Sequence, residues 1–172
     1  LEIRKSVYGD NHPEKAASYD HIGSIYNKQG ECEKALEHYF KSLEIKKSVS
    51  GENHPSIASS YNKIGLIYHN QREYIKALEY YFKTLEITQA VYGENHPETA
   101  TSYKNIGYIY FDQAEYKTAL VCFSKCLETY KSAYGDDHSL TMLLKIQILQ
   151  MYESISNSEH QEVIEWIFNK QN

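Results

Sequence analysis

A step of 42 residues runs through this chain and constrains its fold more than any other feature. Gly9, Gly51, Gly93 and Gly135 are spaced by it, as are His12, His54, His96 and His138, and Pro13, Pro55 and Pro97. The same step links Tyr19, Tyr61 and Tyr103; Gly23, Gly65 and Gly107; Tyr26, Tyr68, Tyr110 and Tyr152; Ala35, Ala77 and Ala119; and Leu1, Leu43, Leu85 and Leu127. A fixed period of this size marks a stacked-repeat architecture, in which each unit buries its apolar face only against its neighbours.

Within one unit the pattern reads as two helices. Pro13 suits the first helical position, where its missing N–H costs nothing, and His12 or Asn11 before it is placed to cap. From Pro13 to about Gln29, the residues Ala16, Tyr19, Ile22, Gly23 and Tyr26 recur at steps of three and four and so share one face. Gly30 is placed to end this helix. A second is expected from about Glu31 through Val49, with Ala35, Leu36, Tyr39, Phe40 and Leu43 as its stripe. A mid-helix glycine costs about 1 kcal/mol against alanine, so the return of Gly23 at Gly65 and Gly107 calls for close helix packing. The reading is that Gly23 faces Ala35 across an antiparallel pair while Tyr19 and Tyr39 fill the space beside them.

Tyr19, Ile22, Gly23, Tyr26, Ala35 and Tyr39 resemble the signature of a tetratricopeptide repeat. That family usually repeats every 34 residues or so. The longer step here is similar to the variant with lengthened helices and a Gly-x-x-His-Pro connection found in kinesin light chains, and Tyr103-Lys104-Asn105-Ile106-Gly107-Tyr108-Ile109-Tyr110 carries that likeness. The resemblance implies an all-α fold, a right-handed superhelix of stacked antiparallel helix pairs closed by a C-terminal capping helix. The chain is then expected to be one array spanning residues 1–172: the end of a preceding repeat in 1–8, repeats at 9–50, 51–92 and 93–134, and a degenerate repeat with a cap in 135–172. In that last unit Ser139, Lys145 and Leu149 replace the expected proline, tyrosine and glycine. Ser158-Glu159-His160-Gln161 is a capping-box pattern expected to start a final helix bearing Val163, Ile164, Ile167 and Phe168. Because Leu1-Glu2-Ile3 align with Leu43-Glu44-Ile45, the chain reads as a piece of a longer array, and an apolar partial helix at Leu1, Ile3 and Val7 offers a route to self-association.

Composition narrows the function classes. With 41% hydrophobic and 24% charged residues and a net charge of −5, the chain suits a soluble folded protein and disfavours nucleic acid as partner. Cys32, Cys122 and Cys126 cannot all pair and form no CxxC motif, which points to a reducing, cytoplasmic setting. No apolar run reaches membrane-spanning length. The histidine ladder invites a metal reading, but helices pack roughly 8 to 10 Å apart, whereas zinc needs its nitrogen ligands at about 2 Å; loop capping explains the ladder better. Cys122 and Cys126, four apart on one face, read as packing residues. There is no phosphate loop, HExxH or Gly-x-Ser-x-Gly motif, so neither catalysis nor a cofactor is expected.

The tetratricopeptide resemblance implies that the first helix of each pair lines a concave groove holding a short peptide of a partner protein. The candidate groove residues are Asp20, His21, Ser24 and Asn27 in the first unit, Asn62, Lys63, Leu66 and His69 in the second, and Lys104, Asn105, Tyr108 and Phe111 in the third. Asparagine both donates to and accepts from a peptide backbone, and Lys63 and Lys104 can meet carboxylates. Tyr108 and Phe111 can hold an apolar side chain. In kinesin light chains such asparagines and basic residues hold acidic cargo peptides; Asn105 matches that asparagine, while Asn62 sits one place out of register, with Lys63 and His21 at the corresponding positions. The expected function is a non-catalytic scaffold or adaptor, with a recruiting tail of an upstream enzyme and a self-assembly module as the alternatives.

Overall fold

The computed structural model describes residues 12–153. Among the described residues there are seven helices: α1 (Pro13–Lys28), α2 (Cys32–Ser50), α3 (Pro55–Asn70), α4 (Tyr74–Tyr92), α5 (Pro97–Asp112), α6 (Tyr116–Tyr134) and α7 (Ser139–Glu153). They fall into two compact units, α1 to α4 in residues 12–94 and α5 to α7 in residues 95–153. The expected first and second helices of the leading repeat are both found, within one residue of their expected ends. The expected helix after Ser158 and the partial helix at Leu1, Ile3 and Val7 lie outside the described residues.

The repeating histidines start the helices. Nδ1 of His12, His54 and His96 accepts from the backbone N–H of Glu14, Ser56 and Glu98 at 3.2, 3.2 and 3.1 Å. His138 does the same for Leu140 at 3.3 Å, while its ring stacks on Tyr134 at 4.8 Å. An imidazole in this role satisfies one of the donors that a helix start leaves orphaned, and the proline that follows tolerates its missing N–H. Capping therefore accounts for the ladder.

The turn between the paired helices needs a left-handed residue. Gly30 supplies it at φ 78°, but Arg72 and Ala114 hold the same place at φ 59° and 62°. An L side chain there costs roughly 1 kcal/mol or more. Ala114→Gly is accordingly expected to raise stability by about 0.5 to 1 kcal/mol, a gain that urea unfolding would register.

Within each pair, contacts run in opposite directions along the two helices. The Lys34 ammonium lies over the Tyr26 ring at 5.3 Å and Lys41 over Tyr19 at 5.9 Å, an antiparallel arrangement. Lys76 over Tyr68, Lys83 over Tyr61 and Lys125 over Tyr103 repeat it at 5.1, 5.8 and 4.7 Å. Between these contacts sits the glycine, and its neighbour differs from the one expected. A Cβ on Gly23 would lie 2.8 Å from the Tyr39 ring and 3.2 Å from the Ala35 carbonyl oxygen; on Gly65 it would lie 2.9 Å from Tyr81, and on Gly107 2.8 Å from Phe123. The aromatic ring of the second helix, rather than the alanine side chain, occupies the space that the glycine leaves. Ala35, Ala77 and Ala119 are themselves fully buried.

These rings anchor the cores. In the first unit Tyr39, Leu43, Ile57, Tyr61, Ile64 and Ile67 belong to one buried cluster spanning α2 and α3. In the second, Phe123, Leu127, Tyr130, Leu144, Ile148 and Tyr152 join α6 to α7. Lys145, standing where the other units carry tyrosine, is buried and bonds Asp136 at 2.7 Å. Gly107→Ala gives the sharpest check on the packing: helix propensity favours alanine by about 1 kcal/mol, yet overpacking against a fully buried ring costs about 1 to 3 kcal/mol. The variant is expected to be less stable by up to about 2 kcal/mol in denaturant unfolding.

Candidate functional site

The first-helix surface of the first unit is organised around Asp20. Its Oδ2 accepts from Lys46 Nζ and Lys63 Nζ, each at 2.8 Å, and Lys46 also donates to Ser60 Oγ at 2.7 Å. The carboxylate comes from α1 and the lysines from α2 and α3, so one anion ties three helices together. Asp20 and Lys46 have side chains only 13% and 15% exposed, whereas Lys63 is 36% exposed and also lies over the Tyr39 ring at 5.6 Å. Two candidate groove residues, Asp20 and Lys63, are thus brought together as partners of each other. His21 is exposed beside them, Asn62 and Asn27 are half-buried, and His69 is half-buried with its ring 6.1 Å from that of Tyr74. The spacing does not single out Lys46, whose counterparts at the 42-residue step are Arg4, Thr88 and Tyr130.

Burial alone would raise the Asp20 pKa, but hydrogen bonds from Lys46 and Lys63 outweigh it and hold the carboxyl below its ordinary value. A carboxyl depressed in the folded state stabilises fully above its unfolded pKa of about 3.9, and that contribution is lost as pH falls through the folded value. Asp20→Asn is expected to cost about 1 to 3 kcal/mol at neutral pH, between exposed and buried ion pairs. Its thermal stability should also decline less steeply than that of the parent below about pH 4, which melting curves across that range would reveal.

In the second unit the candidate residues Tyr108 and Phe111 meet around a pocket of about 330 Å³, completed by Gln147, Gln150 and Met151 of α7. Tyr108 packs edge-on against Phe123 at 5.3 Å and donates its hydroxyl hydrogen to Gln147 Oε1 at 3.1 Å. Phe111 lies 5.4 Å from Tyr116 and 5.6 Å from Tyr152. Tyr108 is therefore part of the packing as well as of the surface, so truncating it would loosen the fold too. Lys104 and Asn105 are half-buried within the two turns before Phe111. The α7 contribution was missed at the level of sequence, although the signal was present: Gln147 and Gln150 stand 42 residues after Asn105 and Tyr108.

The cysteines behave as packing residues. Cys122 and Cys126 are buried, and burial pushes both thiols up, that of Cys126 to about 12 despite the opposing pull of Lys104 and a hydrogen bond to Tyr130. A thiol that high carries almost no thiolate at neutral pH.

A family model described as Tetratricopeptide repeat matches residues 1–48, 21–81 and 56–132. A search of the curated proteins found no match. Several solved structures share the fold. BtubC (BKLC) from P. vanneervenii is similar over 98% of this chain and 66% of that one, at 20% identity and a TM-score of 0.81. The kinesin-light-chain-type, nearly identical TPR-like repeats of Podosopora anserina match over 99% of this chain and 81% of that one, at 18% identity and a TM-score of 0.76. RapI in its apo form matches over 98% and 61%, at 21% identity and a TM-score of 0.75. The chain thus spans just under two thirds of BtubC and of RapI. At such identities the likeness shows the fold, which is the all-α tetratricopeptide solenoid.

Proposed function

The chain belongs to the tetratricopeptide repeat family, in its kinesin-light-chain-like form, and from that premise we propose that it is a non-catalytic adaptor that holds a peptide or helical segment of a partner protein. Binding takes place on the first-helix faces: in one unit on α1 and α3 around His21, Asn27, Asn62, Lys63 and His69, in the other on α5 and α7 around Lys104, Asn105, Tyr108 and Phe111. Asp20 sets the position of Lys63, leaving that lysine to meet acidic residues of the partner.

One observation carries this reading. Residues that recur at the 42-residue step are consumed by capping and packing, as His96 and Gly107 are. First-helix positions that do not recur instead line the surface and its pocket. Variation at surface positions over an invariant framework is how a repeat protein separates recognition from stability. A cytoplasmic location belongs to the same proposal, supported by three cysteines of which two are buried as packing residues.

A peptide array probed with the chain and with a Lys104→Ala/Asn105→Ala variant tests the proposal. Capture of particular short peptides by the parent, weakened about tenfold or more in a variant that still unfolds cooperatively from a helical state, is the expected result. Failure of the folded parent to capture any peptide would remove the adaptor reading.

A further inference from the structure

The second helices carry an exposed stripe of their own. On α4, Ile75, Glu79, Phe82 and Glu86 fall at helical spacing and so share one face. Ile75 and Phe82 are 83% and 47% exposed, and both glutamates are exposed. On α6 the corresponding stripe is Lys117, Val121, Lys125 and Glu128, with Val121 58% exposed. On α2 it is Glu33, Glu37, Phe40 and Glu44.

The stack does not dictate these side chains. Ile75 stands where the other units have Glu33 and Lys117, and Val121 where they have Glu37 and Glu79. The change at 121 alters the lysine that follows it. Lys41 and Lys83 each bond the glutamate four residues earlier, whereas Lys125, with Val121 at that place, bonds the Tyr103 hydroxyl at 3.3 Å.

Charge selects which stripes can meet across two copies. Two copies of α4, or α4 with α2, would set glutamates against glutamates, and two copies of α6 would set lysines against lysines. The stripe of α2 is acidic, but its Phe40 is drawn into the core, 6.2 Å from the Tyr80 ring. Only α4 and α6 join opposite charges about exposed apolar residues. Laid along each other in either direction, they seat Val121 on Phe82 and bring Lys117 and Lys125 beside Glu79 and Glu86, because each apolar residue lies three or four places from the charges on both sides. Exposed ion pairs contribute little by themselves; here they orient a contact whose burial comes from the apolar residues.

We infer that α4 of one copy docks on α6 of a second, with Phe82 against Val121 and Glu79 and Glu86 paired with Lys117 and Lys125. The contact uses none of the first-helix residues assigned to peptide binding, so the two readings stand or fall separately.

Sedimentation equilibrium from micromolar to millimolar concentration, in low salt and in about 1 M salt, tests the inference. The mass should rise above the 20.0 kDa of one chain in low salt and return to it in about 1 M salt, where the screening length is about 3 Å. That sign is diagnostic: copies with a net charge of −5 repel, so salt would strengthen a contact lacking this complementarity. Glu79→Lys/Glu86→Lys and Lys117→Glu/Lys125→Glu, each with the helicity of the parent, should remain single chains, the first despite a net charge nearer zero. An equimolar mixture of the two should recover the heavier species. Phe82→Ser, which copies the residue at position 124, should weaken association about tenfold or more. A parent that keeps to 20.0 kDa at every concentration would overturn the inference. So would association that strengthens with salt or survives both charge reversals, which would place the contact on another face of the chain.

Discussion

The fold depends on a steric exchange between the two helices of each repeat. A glycine on the first helix gives up its side chain so that an aromatic ring on the second can occupy the space, Gly23 against Tyr39, Gly65 against Tyr81 and Gly107 against Phe123. The glycine weakens its own helix by about 1 kcal/mol. Tyr39, Tyr81 and Phe123 are each at most 3% exposed, and burying a ring of that size returns more than the glycine costs. With the backbones that close, the lysines of the second helix reach the tyrosine faces of the first, and the same contact geometry is printed three times along the chain.

That exchange also sets which surface positions are left to vary. Each repeat commits its glycine, its alanine and its recurring tyrosine to the stack, and its histidine to starting the next helix. Side chains left over on the first helices are free to change from unit to unit, and they do. In the first unit they form a charged junction, Asp20 between two lysines. In the second they form an uncharged hollow between rings and amides. Two surfaces of different chemistry arise on one framework because these positions do not repeat from unit to unit, although Asp20 and Tyr108 also tie neighbouring helices together.

Much of this was legible in the sequence because a period of 42 residues separates structural from variable positions without any alignment. The helices, their histidine caps and the close approach of the paired helices follow from Pro13, His12 and Gly23 and their copies. Three things were not legible. Which atom opposes the glycine depends on side-chain direction across the pair, and the spacing alone does not distinguish the ring of Tyr39 from the methyl of Ala35. Lys46 shares its charge at the 42-residue step with Arg4 but not with Thr88 or Tyr130, and nothing local to it points at a carboxylate 26 residues earlier. Gln147 and Gln150 are masked because the fourth repeat lacks its proline, tyrosine and glycine, although loss of those framework residues leaves the neighbouring surface positions in register.

The most direct measurement is a double-mutant cycle on Gly65 and Tyr81, combining Gly65→Ala with Tyr81→Leu and reading urea unfolding of all four proteins. If the ring fills the glycine's space, the alanine should cost markedly less once the ring is trimmed, with a coupling of about 1 kcal/mol or more. Additivity within about 0.5 kcal/mol would contradict the contact on which the stack is built.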